Sequence, residues 1–217
     1  MTLELFAHPF SSYCQKVLIA LWADETPFTY RMLDEQHPEN MAELKRHWPF
    51  GKFPLLLDDG VPVIESTPII EHLQACHPGR NRWIPEGEDG RRVRFLDRFF
   101  DNYVMDNMTK PVGDKLRPEE SRDPYGVARA RADLNVAYDW LEGQIGEHWA
   151  VGDTFTLADC AAAPSLFYAD WVEEIGSSRP RLAAYRARLL AYPPVARAVD
   201  EARPYRAFFP LGAPDRD

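Results

Sequence analysis

Hydrophobic and polar positions divide the chain into two unlike stretches. Leu3 to Phe6 and Phe28 to Met32 are short β-type runs, and between them Val17, Leu18, Leu21 and Trp22 recur at helical spacing. This pattern predicts a β-α-β unit with a parallel strand pair. A polar stretch from Asp34 to Lys45 has room for a short helix. Leu55-Leu56-Leu57 and Val61 to Ile64 then flank Asp58-Asp59-Gly60, and Asp-Gly between two apolar runs signals a hairpin. A helix follows from about Ser66 to Cys76, with Ile69, Ile70 and Leu73 on one side. The first part of the chain is therefore expected to be an α/β layer structure, ordered β-α-β and then β-β-α.

Beyond His77-Pro78-Gly79 the pattern changes. Residues 80–90 are rich in Pro, Gly and charge and read as a linker, so a domain boundary is expected there, separating 1–79 from 91–217. From Arg91 onward Val93, Leu96, Phe99, Phe100, Tyr103, Val104 and Met108 keep a helical period, and Pro111 with Gly113 is expected to close that helix. Val127, Leu134, Tyr138, Leu141 and Ile145 form a second run. Thr156-Leu157-Ala158-Asp159 has the layout of a capping box, with Asp in the Glu/Gln place, ahead of a small-residue helix from Cys160 to Tyr168. Further helices fit Pro180 to Leu190 and Pro194 to Ala202. The second domain is thus expected to be all-helical.

Charge and cysteine usage narrow the function. At 217 residues with a formal charge of −9, the chain lacks the dense basic and aromatic patches of a nucleic-acid binder. Any anionic ligand must be held by a local positive site. The longest apolar run, Val17 to Ala23, is far below the roughly 20 residues that span a bilayer, and no charged-then-apolar leader opens the sequence, so a cytosolic protein is expected. Three widely spaced cysteines, Cys14, Cys76 and Cys160, suit reduced thiols. Six histidines form no ligand cluster of usual spacing, and no metal is expected.

The candidate chemistry lies at His8-Pro9-Phe10-Ser11-Ser12-Tyr13-Cys14-Gln15-Lys16-Val17, where a strand hands over to a helix. A helix N-terminus offers unpaired N–H groups and the positive end of a dipole, which stabilise an anion such as a thiolate. With a Cys in first place, Ser11-Ser12-Tyr13-Cys14 would be the CxxC redox signature of a thioredoxin-like unit. Here the leading position carries a hydroxyl, which points to a protein that holds a sulfur supplied by its ligand. Cys14, in the resolving position without an attacking partner, reads as a small buried apolar group rather than a redox thiol.

Taken in order, four segments resemble the cytosolic glutathione transferases of the serine type. They are Ser11 to Val17, Pro49-Phe50-Gly51-Lys52-Phe53-Pro54-Leu55, Glu65-Ser66, and Thr156 to Asp159. The resemblance covers the whole chain. It implies a thioredoxin-like domain followed by a helical bundle, glutathione as co-substrate without a metal, and a homodimer. Phe6 stands at the strand end where tyrosine-type relatives carry their hydroxyl. Thr67-Pro68 follows the Glu-Ser pair where the family often has Ala one residue further on.

The resemblance also implies roles. Ser11 is the catalytic hydroxyl and Ser12 its neighbour in the glutathione site; from the residues alone, either hydroxyl can be a helix cap. Glutathione's thiol ionises near pH ~8.5 as for free cysteine, and lowering that by about two pH units takes about 2.7 kcal/mol of preferential thiolate stabilisation. A charge-assisted O–H···S bond with a helix terminus is suited to supply it. Pro54 would be cis, so that the Phe53 backbone pairs with the cysteinyl part of an extended peptide; by itself it reads as a turn proline. Ser66 and Glu65 would take the γ-glutamyl carboxylate and ammonium, although a helix cap with an acid accounts for both. Lys52 would stand near the glycyl carboxylate, or is simply a solvated cation. Tyr103, Asn107 and Met108, and the segment Tyr168 to Trp171, are candidates for the electrophile pocket between the domains. Conjugation to a small, partly apolar electrophile is the expected reaction. Glutathione-dependent isomerisation, dehalogenation or peroxide reduction is the alternative, and a non-catalytic binding protein of the same fold is a second.

Overall fold

The structure is a computed structural model that describes residues 2–216. Its first part is a four-stranded sheet in the order β2-β1-β3-β4, with β1 Leu3–Ala7, β2 Thr29–Met32, β3 Leu55–Asp58 and β4 Val61–Ile64. β1 runs parallel to β2 and antiparallel to β3, and β3 is antiparallel to β4. The β3–β4 turn has φ of +47° at Asp59 and +82° at Gly60, the positive values that a two-residue type I′ hairpin demands.

Strand alternation assigns the two faces. Leu3, Leu5, Ala7 and Leu56 enter the main core with α1 (Ser12–Ala23) and α3 (Ser66–Cys76). Phe6, Leu55 and Leu57 point the other way and bury Leu33 and Leu44, the latter on α2 (Pro38–His47). Both faces are covered, so β3 is apolar at three consecutive positions rather than alternating. This βαβ-ββα arrangement is the thioredoxin-like domain expected from the strand order.

The remainder is helical: α4 Gly87–Phe99, a π-helical segment Phe100–Met105, α5 Asp106–Lys115, α6 Pro124–Glu142, α7 Leu157–Val172, α8 Pro180–Ala191 and α9 Pro193–Ala202. Proline opens α2, α6, α8 and α9, where its missing N–H is an orphan in any case. Two prolines contradict simple helix-breaking. Pro111 lies inside α5, which runs on past Gly113 to Lys115, and Pro164 lies inside α7. Both are buried, and the packing of α5 and α7 against their neighbours offsets an interior-proline penalty of roughly 3 kcal/mol. α7 is buried along its whole length and packs against α1, which it sandwiches against the sheet. That explains why α1 is buried from Cys14 to Leu21 on every side.

Candidate active site

Ser11 is the N-cap of α1. Its backbone is extended (φ −86°, ψ 122°) and its Oγ accepts from the Cys14 N–H at 3.4 Å. The hydroxyl can donate as well as accept, and it also lies within hydrogen-bond reach of the Cys14 thiol. Ser12 follows as the first helical residue. The preceding loop is pinned from below by Gln15, whose Nε2 donates to Pro9 O (2.8 Å) and to the Tyr168 hydroxyl (3.0 Å), while that hydroxyl donates to Phe10 O (3.1 Å).

The first turn of α1 borders two cavities. A polar cleft of about 250 Å³ is lined by Tyr13, Trp48, Lys52, Phe53, Pro54, Ile64, Glu65, Ser66, Arg98, Asp101 and Asn102. A more apolar pocket of about 220 Å³ is lined by Phe10, Ser11, Ser12, Met108, Thr109, Val112, Tyr168, Phe209 and Pro210. Five of the expected glutathione-site residues, Lys52, Phe53, Pro54, Glu65 and Ser66, therefore share one cleft. The two serines face the adjoining pocket, while Tyr13, next along the helix, lines the cleft. The Phe53–Pro54 bond is cis.

Glu65 is the N-cap of α3 with φ +74° and ψ 138°, a conformation that L-residues rarely hold. Such a strained position is of order 1–3 kcal/mol and is kept only where its surroundings enforce it. Ser66, next in sequence, is buried at the start of the helix.

Beneath the cleft a fully buried lysine joins three elements. Lys16 Nζ on α1 lies 2.5 Å from Asp97 Oδ1 on α4 and 3.1 Å from Asp101 Oδ2 in the π segment, and donates to Thr67 Oγ1 on α3 at 2.9 Å. The Thr67 hydroxyl in turn donates to Asp97 Oδ2 at 2.9 Å, and Arg98 pairs with Asp101. Lys16 and the two carboxylates are buried, and Arg98, with its side chain 58% exposed, meets Asp101 from the solvent side. Burial raises the Asp101 carboxyl above its usual range against the opposing pull of Lys16. Burial, reinforced by Asp101 and Asp106, raises the Tyr13 phenol, which remains a neutral O–H donor. Burial pushes the Cys14 thiol up to about 12, so it stays protonated at neutral pH.

The structure divides the electrophile candidates. Met108 lines the pocket beside the serines, but Tyr103 and Asn107 line a separate hollow with Phe99, Arg129, Asp133, Val136, Ala137 and Trp140. The split follows from helix geometry. Positions 103 and 107 share a face, with Asn107 Nδ2 donating to Tyr103 O at 2.9 Å, whereas 108 is turned about 100° further. Tyr168 faces the pocket, while Asp170 is buried behind it against Arg186 and the Ile175 N–H. Tyr13 was within reach of sequence reasoning, since it belongs to the same helix turn as the serines. Arg98, Asp101 and Phe209 were not, because no motif marks them.

A family model described as "Glutathione S-transferase, N-terminal domain" matches residues 5–81, and one described as "Glutathione S-transferase, C-terminal domain" matches residues 124–188. Glutathione S-transferase PARB of Nicotiana tabacum is 25% identical over 209 residues, spanning 89% of this chain and 95% of its own length. Glutathione S-transferase GstB of Escherichia coli (strain K12) is 26% identical over 197 residues, spanning 87% and 93%. Among solved structures, a glutathione S-transferase of Methylobacterium radiotolerans, in complex with glutathione sulfonate, matches with a TM-score of 0.79 at 28% identity, over 92% of this chain and 95% of that one. Matches to both domains of one family, over more than half of the sequence and on a shared fold, establish that this chain belongs to the glutathione S-transferase family.

Proposed function

We propose that the chain binds glutathione in the polar cleft and transfers its thiolate to a small, partly apolar electrophile in the adjoining pocket, with Ser11 as the hydroxyl that stabilises the sulfur. The observation that carries this reading is the position of the α1 first turn, which borders a polar cleft on one side and an apolar pocket on the other. A thiolate held there is in reach of both substrates, and fixing two reactants side by side removes much of the entropic barrier. Glutathione's γ-glutamyl end meets Ser66 and Glu65 at the α3 N-terminus, the Phe53 backbone pairs with the cysteinyl unit, and Lys52 faces the glycyl carboxylate. Ser12 supplies a first-turn N–H. Met108, Tyr168 and Phe209 form the apolar wall for the electrophile. The protonated, buried Cys14 supports conjugation over redox chemistry by the protein's own thiol.

The same reading gives a thioredoxin-like glutathione domain over 1–79, a linker over 80–90 and an electrophile-binding helical domain over 91–217, working as a homodimer in the cytoplasm. Free cysteines among the described residues, and the absence there of a helix long and apolar enough to cross a membrane, agree with that location.

Calorimetric titration of glutathione into wild type and Ser11→Ala, beside an aryl-halide conjugation rate, tests the proposal. We expect affinity to change by a few-fold at most and the rate to fall roughly 30- to 100-fold, matching about 2–2.7 kcal/mol of thiolate stabilisation. A wild type that takes up no glutathione at millimolar concentration would favour the non-catalytic binding protein. Full activity in Ser11→Ala with loss in Ser12→Ala would move the role to Ser12. Product analysis separates conjugation, which leaves a stable thioether, from isomerisation or peroxide reduction.

A further inference from the structure

At the opposite end of β3 and α3 from the cleft, three metal-ligating side chains converge. Asp58 ends β3, His72 lies on α3, and His77 is the α3 C-cap. Both imidazoles point Nε2 at one carboxylate oxygen, Asp58 Oδ2, at 2.8 Å from His72 and 2.7 Å from His77. The two rings have centroids 5.9 Å apart and are tilted by 53°, and one ligand atom from each of the three residues lies within 4.8 Å of the others. All three side chains are partly buried, with accessibilities of 27% for His72, 13% for His77 and 15% for Asp58, so one side of the cluster stays open to water.

We propose that Asp58, His72 and His77 form a site for a divalent transition-metal ion, with Zn²⁺ the ion best matched to two imidazoles, one carboxylate and an open fourth position. This donor set is the one that suits Zn²⁺ and its first-row neighbours rather than Mg²⁺ or Ca²⁺. Zn–N of about 2.0–2.1 Å and Zn–O of about 2.0–2.2 Å place tetrahedral ligand atoms about 3.3 Å apart. The present 2.7–2.8 Å contacts to Asp58 need to open by about half an ångström, and the ligand atoms of the two imidazoles already lie within 4.8 Å of each other. An Nε2 that ligates the ion presents its lone pair to it, and the ring proton then resides on Nδ1. The ion would pin the C-terminal end of α3 to the β3–β4 hairpin, and so act as a staple remote from the thiol chemistry. The proposal stands apart from the glutathione reading, because none of its three residues borders the cleft or the pocket beside it.

The test is titration of Zn²⁺ alone, without glutathione or other thiols, into the full chain carrying Cys76→Ser. That exposed cysteine is next to His77 and would bind the ion on its own account. We expect one equivalent to bind with a Kd near or below 10 µM, a Tm rise on loading, and a visible d–d spectrum with Co²⁺ in its place. His72→Ala/His77→Ala should weaken binding at least about tenfold and abolish the Tm rise, while far-ultraviolet circular dichroism and glutathione uptake stay those of the parent. Asp58→Asn should weaken it as well while retaining the side-chain volume. No one-to-one binding by the Cys76→Ser protein, or equal binding by a folded double-histidine variant, overturns the proposal.

Discussion

Cys14 shows how much one environment decides. Its sequence position is the second of a redox pair, yet the side chain is fully buried and its thiol is pushed up to about 12, chiefly by desolvation. The unfolded chain would ionise it near the ordinary thiol value of about 8.5. The sign follows from that difference: this group's contribution to stability is intact below about pH 8.5 and is lost as pH rises from there toward 12, because ionisation favours the unfolded chain. Iodoacetamide at pH 8 should therefore label Cys76 rapidly and leave Cys14 and Cys160 unmodified until denaturant is added, as read by mass spectrometry of the native protein. Rapid native labelling of Cys14 would mean that its helix turn opens. Lys16, two residues on, carries the opposite lesson. In sequence it is one more basic residue, and only the meeting of α1, α3, α4 and the π segment turns it into a buried charge between two aspartates.

At the scale of elements, turn and cap chemistry was legible because it is local. Asp59-Gly60 forms the expected hairpin, and the capping box at Thr156 starts α7 as predicted. The Asp159 carboxylate is nevertheless more than a cap: Oδ2 accepts from the Thr156 N–H (2.8 Å) and hydroxyl (2.9 Å), and Oδ1 from the Ala150 N–H (2.8 Å) and the Tyr185 hydroxyl (2.7 Å). Asp159→Ala leaves four buried donors without their acceptor. At ~1–3 kcal/mol for each group left unsatisfied, partly relieved by water and relaxation, the change should lower stability by about 3 kcal/mol or more. That is a Tm loss on the order of 10 °C for a chain of this size, measurable by calorimetry. A loss below about 2 °C would show that the network is dispensable. Proline misled the reading of α5 for the complementary reason: its penalty is local, but the burial that offsets it comes from other helices. His72 and His77 were also missed at this scale. Five residues apart, they point about 140° away from each other on a regular helix, and they converge because His77 leaves it, with φ −132° and ψ 54°.

For the whole molecule, the outer face of the helical domain bears on assembly. Tyr103 (56% exposed) and Val136 (66%) line a hollow of about 410 Å³ with Phe99 and Trp140, whose rings stack at 4.3 Å, and Phe95 (45%) packs on Trp140. We propose that a second copy covers this face, because contiguous exposed apolar surface favours a partner. Sedimentation equilibrium at about 10 µM should give twice the chain mass for wild type, and Val136→Glu should shift it to the monomer by placing a charge on the apolar face. A monomeric wild type sinks the assignment. The predicted stripe from Val93 to Met108 thus serves two surfaces, with Met108 turned to the pocket and Phe99 and Tyr103 turned outward.

What the sequence determined by itself was whatever rests on neighbours along the chain: the strand and helix order, the hairpin, the capped starts of α1 and α7, and the short motifs whose residues share the polar cleft. Hydrophobic period, turn chemistry and cap preference act over a few residues, so they survive in one dimension. Tertiary structure alone decided which face of α4 to α5 looks inward, that Lys16 is neutralised by Asp97 and Asp101, that two buried prolines are tolerated, and that Asp58, His72 and His77 come together. Each of these depends on burial and on contacts between residues distant in the chain, where packing and desolvation outweigh local preference.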